Sequence, residues 1–303
     1  MPIQPVTYRI IAVARVQEKD ELQPEDVAEI FEKLDETARS EFTQARFPNC
    51  KLVLEHEVAS SSHNFPKIIY ELSQRGLNPI AGAIRDIEDA VVAMSAGAKK
   101  IVGPVYSNEV AEFADDYNLR YTPGAFTVNE VTTTQDAVLK RGLGGFLNIF
   151  PTYYHGSLGI CEAIKSMYSD RIGNRRVLSY LSIDSDSTQN QIQVHSATEF
   201  DRVIQKDGNK KITVSLPPGE ILDWVDHFKL IRNYVSPGIE PIAVGGITPQ
   251  TMLPLLNICN TSFGMSWLFN QALLSIKNQD KTLVSAEVAM KKAIKAISDF
   301  QCT

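Results

Sequence analysis

Cysteine and long apolar runs are scarce in this sequence. Only four cysteines occur among 303 residues, widely separated and without a CxxC pair, which argues against a disulfide framework or a zinc site and favours reduced thiols. No run of eighteen apolar residues occurs, and the segment MPIQPVTYRI lacks the charged and then apolar pattern of a signal peptide. We therefore expect a cytoplasmic protein with no membrane association.

Positive charge is also in short supply. Lysine and arginine total 30 against 36 acidic residues, a net charge of −6, and no basic run or zinc-knuckle spacing is present. This balance argues against nucleic acid as a partner. A small anionic substrate remains compatible with it, because a few arginines and helix N-termini can reverse the field within one pocket. The composition, 44% hydrophobic and 22% charged, is that of a globular protein.

The sequence does contain a regular alternation of strand and helix patterns. It begins with YRIIAVARV, followed by an amphipathic helix from about Pro24, and six such pairs are complete by about Tyr168. Two further strands are predicted at Pro241 to Val244 and Thr261 to Gly264, each followed by a helix start. Alternation of this kind implies parallel pairing with right-handed crossovers, and eight strands predict a closed (β/α)8 TIM barrel.

One segment breaks this alternation. The runs RRVLSYLSI, QNQIQVHS and KKITVSLPP are separated by turn-rich stretches and predict a small α+β insertion of two or three strands and a helix. The predicted organisation is therefore six β/α pairs in residues 1–170, the insertion in 171–218 between helix 6 and strand 7, and two further pairs with a C-terminal helix in 219–303.

Candidate site residues should lie where the strands end, because barrel active sites form at the C-terminal ends of the strands. The residues at these positions are Arg15, Glu55, His56, Glu57, Arg85, Asn148, Tyr153, His155, Gly245, Gly246 and Gly264. The segments GGIT at Gly245 and GMS at Gly264 to Ser266 each join a late strand to a helix start, which is typical of phosphate-binding loops. Tight turns alone would also explain these glycines.

The triplet Glu55, His56 and Glu57 lies on one predicted strand. Alternation puts both glutamates on one face and the histidine on the other. An inward carboxylate near the barrel mouth predicts a catalytic role for at least one glutamate, and the alternative is an ion pair with an arginine. Because the alternation separates His56 from the glutamates, we expect no metal site here, even with His63 nearby.

Several strand ends, taken in order, resemble those of the KDPG/KHG aldolases, enzymes that act on 2-keto-3-deoxy-6-phosphogluconate and 4-hydroxy-2-oxoglutarate. The matching segments are IIAVAR, LEHEVAS, GAIRD, SAGAKKIVGP, YTPGAFTVNEV, FLNIFP, VGGIT and FGMSWL. The resemblance implies a (β/α)8 barrel, a homotrimer without a cofactor, and cleavage of a 2-keto-4-hydroxy acid to pyruvate and an aldehyde. It covers nearly all of the chain except the insertion and the C-terminal tail.

The family's Schiff-base lysine is replaced in this sequence. Counting back three residues from Pro151 reaches Asn148, whose amide nitrogen cannot form an imine. Lysines that open predicted strands, and so lie at the opposite end of the barrel, are Lys51, Lys99, Lys100 and Lys211. Lys19 is the lysine expected near the mouth.

Other family positions match unevenly. The resemblance places Arg15 in substrate binding and Glu57 as general acid/base, with Glu55 in that role if a two-residue gap intervenes. Ser61 stands where the family has a carboxylate-binding arginine, and Arg85 where it has a threonine, which suggests that the anion clamp has moved. Gly245, Gly246, Gly264 and Ser266 match the phosphate loops.

The sequence leaves three functions open. The first is an aldolase-like lyase for a 2-keto-4-hydroxy acid, with or without a phosphate, working without a Schiff base: Glu57 is the acid/base and Asn148 hydrogen-bonds a carbonyl or enolate oxygen. The second is a catalytically inactive binding protein for a phosphorylated or dicarboxylic acid. The third, an isomerase or epimerase, rests on fold analogy alone.

Overall fold

The computed structural model describes most of the predicted barrel and three strands of the predicted insertion. It covers residues 5–125, 128–141, 145–150, 181–185, 188–193, 211–214, 228–229, 231–279 and 282–301. The predicted sixth helix, Tyr153 and His155 lie outside the described residues.

The strands come in two sheets. In chain order they are β1 (Val6–Ala14), β2 (Cys50–Ala59), β3 (Ile80–Gly82), β4 (Lys100–Val102), β5 (Arg120–Thr122), β6 (Gly124–Ala125), β7 (Phe146–Ile149), β8 (Leu181–Ser185), β9 (Thr188–Gln193), β10 (Lys211–Val214), β11 (Glu240–Val244) and β12 (Ser262–Met265). Nine of them form a parallel sheet in the order β5-β4-β3-β2-β1-β12-β11-β7-β6.

The two outermost strands of this sheet are consecutive pieces of one barrel strand. Only Pro123 separates β5, which pairs with β4, from β6, which pairs with β7. The sheet is therefore closed, and the predicted (β/α)8 barrel is confirmed. Pro123 has no N–H to donate, but its carbonyl accepts the backbone N–H of Asn148 at 3.0 Å. Gly124 needs to lack a side chain, because a Cβ there would overlap the carbonyl oxygen of Pro104.

Helices follow the strands and cover the outside of the barrel. They are α1 (Pro24–Glu41), α2 (Phe65–Gln74), α3 (Ile87–Ser95), α4 (Asn108–Asp116), α5 (Val128–Arg141), α6 (Pro249–Asn257), α7 (Ser266–Lys277) and α8 (Val284–Gln301), with a short 3-10 helix at Glu18–Asp20. The C-terminal helix α8 packs against α1, α6 and α7, and so covers the side of the barrel where the first and last strands meet.

Helix α1 shows how the sequence produces these elements. Pro24 occupies its first turn, where a missing N–H does no harm, and the Asp26 carboxylate accepts the backbone N–H of Gln23 just before the helix. The apolar residues Val27, Ile30 and Leu34 recur at helical spacing and are fully buried. This face packs on the sheet, which makes the helix stable through burial more than through propensity.

The barrel interior has its own apolar layer. Ile11, Ile80, Val102, Ile242 and Val244 pack together inside the ring of strands. The larger core lies between the outer face of the strands and the helices. Inward side chains on the C-terminal side of this layer therefore face one end of the barrel, and those on its N-terminal side face the other.

The predicted insertion contains strands, as expected. Strands β8, β9 and β10 form a separate antiparallel sheet in the order β10-β8-β9. The boundaries 171–218 and the helix predicted within them stay predictions. Among the helices that the structure describes, none combines the length and apolar character needed to cross a lipid bilayer.

Candidate active site

Glu57 points into the barrel near the C-terminal end of β2. Alternation along β2 places Glu55 and Glu57 on the inner face, while His56 lies on the outer face with its ring centroid 4.8 Å from that of Phe31. Glu57 is only 9% exposed. Its carboxyl group fills space left by Gly82 on β3, since a Cβ at Gly82 would overlap Glu57 Oε1. The two glutamates therefore share one face of the strand and His56 lies on the other, as alternation predicts.

The environment of Glu57 favours its protonated form. Burial raises the pKa of this carboxyl from 4.5 to about 7, and the negative charge of Glu55 adds to the increase. The positive charges of Lys100 and Arg15 oppose it without cancelling it. A carboxyl group with a pKa near neutrality can both accept and donate a proton, which is the property required of a general acid/base.

Glu55, two residues earlier on the same face, has a different environment. Its Oε2 lies 2.9 Å from Arg9 Nη1, and its Oε1 lies 3.1 Å from Lys100 Nζ. Burial would raise the pKa of Glu55, but the attraction of Lys100 and Arg9 outweighs it and holds the pKa below the ordinary value. Glu55 is therefore a charged ion-pair partner, which makes Glu57 the better candidate for proton transfer.

Lys100 starts β4, at the end of the barrel opposite the site, as expected from the sequence. Its side chain nevertheless points into the interior, is only 9% exposed and places Nζ 5.2 Å from the centre of the Phe146 ring. The sequence did not predict this direction. The ammonium group is bound to Glu55, and a protonated amine in an ion pair does not act as a nucleophile.

Asn148 occupies the inner face of β7. It is in register with Ile242 of the interior layer and with Gly124, and it is 1% exposed. Its Oδ1 is buried and accepts no hydrogen bond from the part of the chain that the structure describes. An unsatisfied buried polar atom destabilises a fold by about 1–3 kcal/mol, so such atoms call for a functional explanation.

The two predicted arginines lie at strand ends and are exposed. Arg15 follows β1 directly, and its charge reaches Glu57 strongly enough to oppose the rise in the pKa of that carboxyl. Arg85 lies three residues after β3, where its backbone N–H donates to Asp89 at 3.4 Å. Ser61 and Lys19 are also exposed near strand ends. Arg15 and Arg85 thus present exposed cationic side chains after the ends of two barrel strands.

The predicted phosphate loops have the expected connections. Gly245 and Gly246 follow β11 with φ of 90° and 69°, a left-handed backbone that favours glycine, and lead to Thr248, which caps α6. Ser266 is exposed and is the first residue of α7. Gly264 lies inside β12, where a Cβ would come within 2.7 Å of Val244. Gly264 thus makes room for the interior layer, and phosphate binding by these loops stays a prediction.

A surface cavity lies at the other end of the barrel. It has a volume of about 400 Å³ and runs between α1 and the first half of β2, lined by residues that include Asp35, Arg39, Phe42 and Lys51. None of the predicted site residues lines it. Among the described residues, no three His, Cys, Asp or Glu side chains are grouped as a metal site would require.

Comparison with known proteins shows a fold shared with several enzymes. A native KDPGal structure is 14% identical, covers 97% of this chain and 96% of its own, and superposes with a TM-score of 0.54. The KDPG aldolase of Legionella pneumophila, with pyruvate captured as a covalent carbinolamine, is 12% identical, with 93% and 94% coverage and a TM-score of 0.50. The chain has the fold of the KDPG aldolases.

The same fold also occurs with other reactions. The tryptophan synthase α subunit of Legionella pneumophila strain Paris is 8% identical, covers 97% of this chain and 93% of its own, and has a TM-score of 0.52. No family model and no curated protein matches the sequence. The resemblance to KDPG/KHG aldolases is therefore confirmed for the fold, and the reaction has to be argued from the site.

Sequence reasoning missed two residues that shape the surroundings of Glu57. Gly82 provides the space for the Glu57 carboxyl, and a glycine inside a strand does signal a close approach by another group. Lys100 provides an interior positive charge, but its direction depends on the register between β3 and β4, in which it faces Ile80. No local pattern reveals that register.

Proposed function

We propose that the protein is a carbon–carbon lyase for a 2-keto-4-hydroxy acid and that Glu57 is its general acid/base. The observation that carries this proposal is a buried carboxyl group, held in a space made by Gly82, with a pKa of about 7. Burial of a carboxyl without an ion-pair partner weakens a fold, so its presence near the mouth of a barrel favours a functional role.

The substrate proposed is a small anion. Arg15 and Arg85 are exposed after the ends of β1 and β3, on either side of β2, and can pair with a carboxylate. The loop at Gly245 and Gly246 and the start of α7 at Ser266 offer backbone N–H groups to a phosphate, as helix N-termini do. A phosphorylated keto acid fits this arrangement, and so does a dicarboxylic one.

The reaction proposed needs no covalent intermediate. The Glu57 carboxylate takes the proton of the substrate's C4 hydroxyl, the C3–C4 bond breaks, and its electron pair forms pyruvate enolate as the aldehyde leaves. The Asn148 amide donates a hydrogen bond to the enolate oxygen. Protonated Glu57 then returns the proton to C3, which completes pyruvate. A neutral amide stabilises an enolate less than an iminium does, so we expect slower turnover than a lysine enzyme supports.

Exchange of the pyruvate methyl protons tests this proposal. Pyruvate in D2O is followed by proton NMR with wild-type protein, with and without a divalent metal ion. We expect loss of the methyl signal, abolished by Glu57→Gln and unchanged by Glu88→Gln, an exposed carboxylate on α3. No exchange under either condition would refute the lyase.

Borohydride reduction tests the absence of imine chemistry separately. The protein is incubated with pyruvate and borohydride, and its intact mass is measured. We expect the unmodified mass, because Asn148 stands in place of the lysine and Lys100 is held by Glu55. An adduct of reduced pyruvate on any lysine would contradict the proposed mechanism.

The second candidate is a binding protein for acidic metabolites without catalytic activity. The replacement of the lysine by buried Asn148 favours it, since the amide offers hydrogen bonds but no nucleophile. Binding of pyruvate or a phosphorylated keto acid by calorimetry, together with no methyl exchange, would establish this function. The isomerase or epimerase alternative rests on fold analogy and gains no specific support from the site.

Assembly and location follow from the resemblance in the same way. We propose a homotrimer in the cytoplasm. Sedimentation velocity at micromolar concentration would show a species of three times the 33.7 kDa chain mass, and a monomer would refute the trimer.

A further inference from the structure

The N-terminal half of the barrel interior contains a cluster of charged side chains beneath the candidate site. Glu55 contacts Arg9 at 2.9 Å and Lys100 at 3.1 Å, and Arg9 also contacts Glu240 at 3.4 Å. Ser262 donates a hydrogen bond to Glu240. The ring of Phe146 lies 4.6 Å from the Arg9 guanidinium carbon and 5.2 Å from Lys100 Nζ. Every one of these groups is on an inward position of its strand.

This cluster adjoins Glu57 directly. Glu55 and Glu57 are two residues apart on one face of β2, a separation of about 7 Å along the strand. Lys100 is in register with Ile80, which is itself in register with Glu57. The carboxylate of Glu55 and the ammonium of Lys100 are therefore the charges nearest to Glu57 on the closed side of the barrel.

Few other charges face Glu57. From β1, Arg15 reaches it at the mouth, whereas Arg9 lies further toward the N-terminal end. Strand β3 presents the uncharged Ile80 and Gly82, and β7 presents Asn148. Glu240 of β11 is bound to Arg9 and Ser262 at the far end. Within the described residues, the opposite charges of Glu55 and Lys100 therefore determine the electrostatic field that reaches Glu57 from the N-terminal end of the barrel.

An ion pair is not needed to fill a barrel interior. Apolar side chains of the same volume often stabilise a fold as well or better than a buried ion pair does. The pair is also mostly shielded from solvent, since the side chains of Lys100 and Glu55 are 11% and 23% exposed, so its field is screened less than that of a surface pair. We propose that Lys100 and Glu55 are positioning residues: their ion pair, set one step below Glu57 on the inner face of the barrel, controls how tightly that carboxyl holds its proton.

The inference rests on the proposed function for its catalytic meaning, but its physical content can be tested without any substrate. Glu55→Gln removes a negative charge and leaves Lys100 unpaired, so the pKa of Glu57 should fall. Lys100→Met removes a positive charge and leaves Glu55 less compensated, so the pKa should rise. Each shift should be on the order of one pH unit for charges at this separation. Lys100→Arg keeps the charge and should restore the wild-type value.

Carbon NMR of protein labelled with [δ-13C]glutamate measures these shifts. Glu57→Gln identifies the resonance, and the titration is followed in wild type, Glu55→Gln, Lys100→Met and Lys100→Arg, with circular dichroism as a check on folding. Shifts of opposite sign in the first two variants are expected. Shifts of the same sign, or none, in folded protein would overturn the inference.

The two remaining variants keep the test decisive if Lys100→Met does not fold. Glu55→Gln alone must then lower the pKa of Glu57, and Lys100→Arg must leave it unchanged. The outcome is separate from that of the proposed function, since the titration needs no pyruvate. Opposite pKa shifts without methyl exchange would refute the lyase and support the electrostatic inference. Methyl exchange without the pKa shifts would support the lyase and overturn the electrostatic inference.

Discussion

The burial of Glu57 should weaken the folded protein as pH rises. The pKa of this carboxyl is about 7 in the folded state against 4.5 in the reference state. Between these values the folded state holds a proton that the unfolded chain has lost, so the free energy of unfolding falls as pH increases. A difference of 2.5 pH units, at 1.36 kcal/mol each, gives about 3 kcal/mol.

Glu57→Gln should remove this penalty, because the amide does not ionise. The free energies of unfolding of variant and wild type, from urea titrations between pH 4.5 and pH 8, give a difference that isolates this residue. We expect the advantage of the variant to grow by about 3 kcal/mol over that range and to level off above pH 7. A constant difference would mean that Glu57 ionises normally, and both the acid/base role and its supporting argument would fail.

Glu55→Gln gives a comparison of opposite sign on the same strand face. The pKa of Glu55 is lowered in the folded protein, so its contribution to stability is present above pH 4.5 and is lost as pH falls through the folded value. At pH 6, where Glu57 is still mostly protonated, this variant should be less stable than wild type while Glu57→Gln is more stable. If both variants changed the free energy of unfolding in the same direction at pH 6, loss of packing rather than of charge would dominate their effects.

Three further predictions concern the mouth of the barrel. Gly82→Ala should displace the Glu57 carboxyl by overlap with the new methyl group and lower pyruvate methyl exchange at least about tenfold, with an unchanged circular dichroism spectrum. Asn148→Leu should raise the free energy of unfolding by about 1–3 kcal/mol if the buried Oδ1 lacks a partner, and destabilisation would reveal one. Arg85→Ala should weaken the binding of acidic ligands, measured by calorimetry, more than Asn148→Ala does, and the reverse order would remove Arg85 from the site.

The fold was predictable because barrel strands and helices have distinct periods. The last two barrel strands were expected at 241–244 and 261–264 and lie at Glu240–Val244 and Ser262–Met265. The shared face of Glu55 and Glu57, opposite to that of His56, followed from alternation along a long strand, whereas the structure shows which of the two faces is the inner one.

The site was less predictable because it depends on register between strands. Lys100 was correctly placed at the start of a strand, but its side chain extends into the barrel interior and contacts Glu55. The two residues are 45 positions apart in the sequence. The space beside Gly82 likewise depends on β2 and β3 meeting so that Ala59 faces Gly82. The register between neighbouring strands is set by the stagger of the closed barrel, and it cannot be read from a single sequence.

The proline at position 123 gives the barrel a seam. Strand β5 before it pairs with β4, and strand β6 after it pairs with β7. The two ends of the sheet are therefore connected there through the backbone around Pro123. Because the carbonyl of that proline also anchors the backbone of Asn148, any loosening of the seam reaches the candidate site at once.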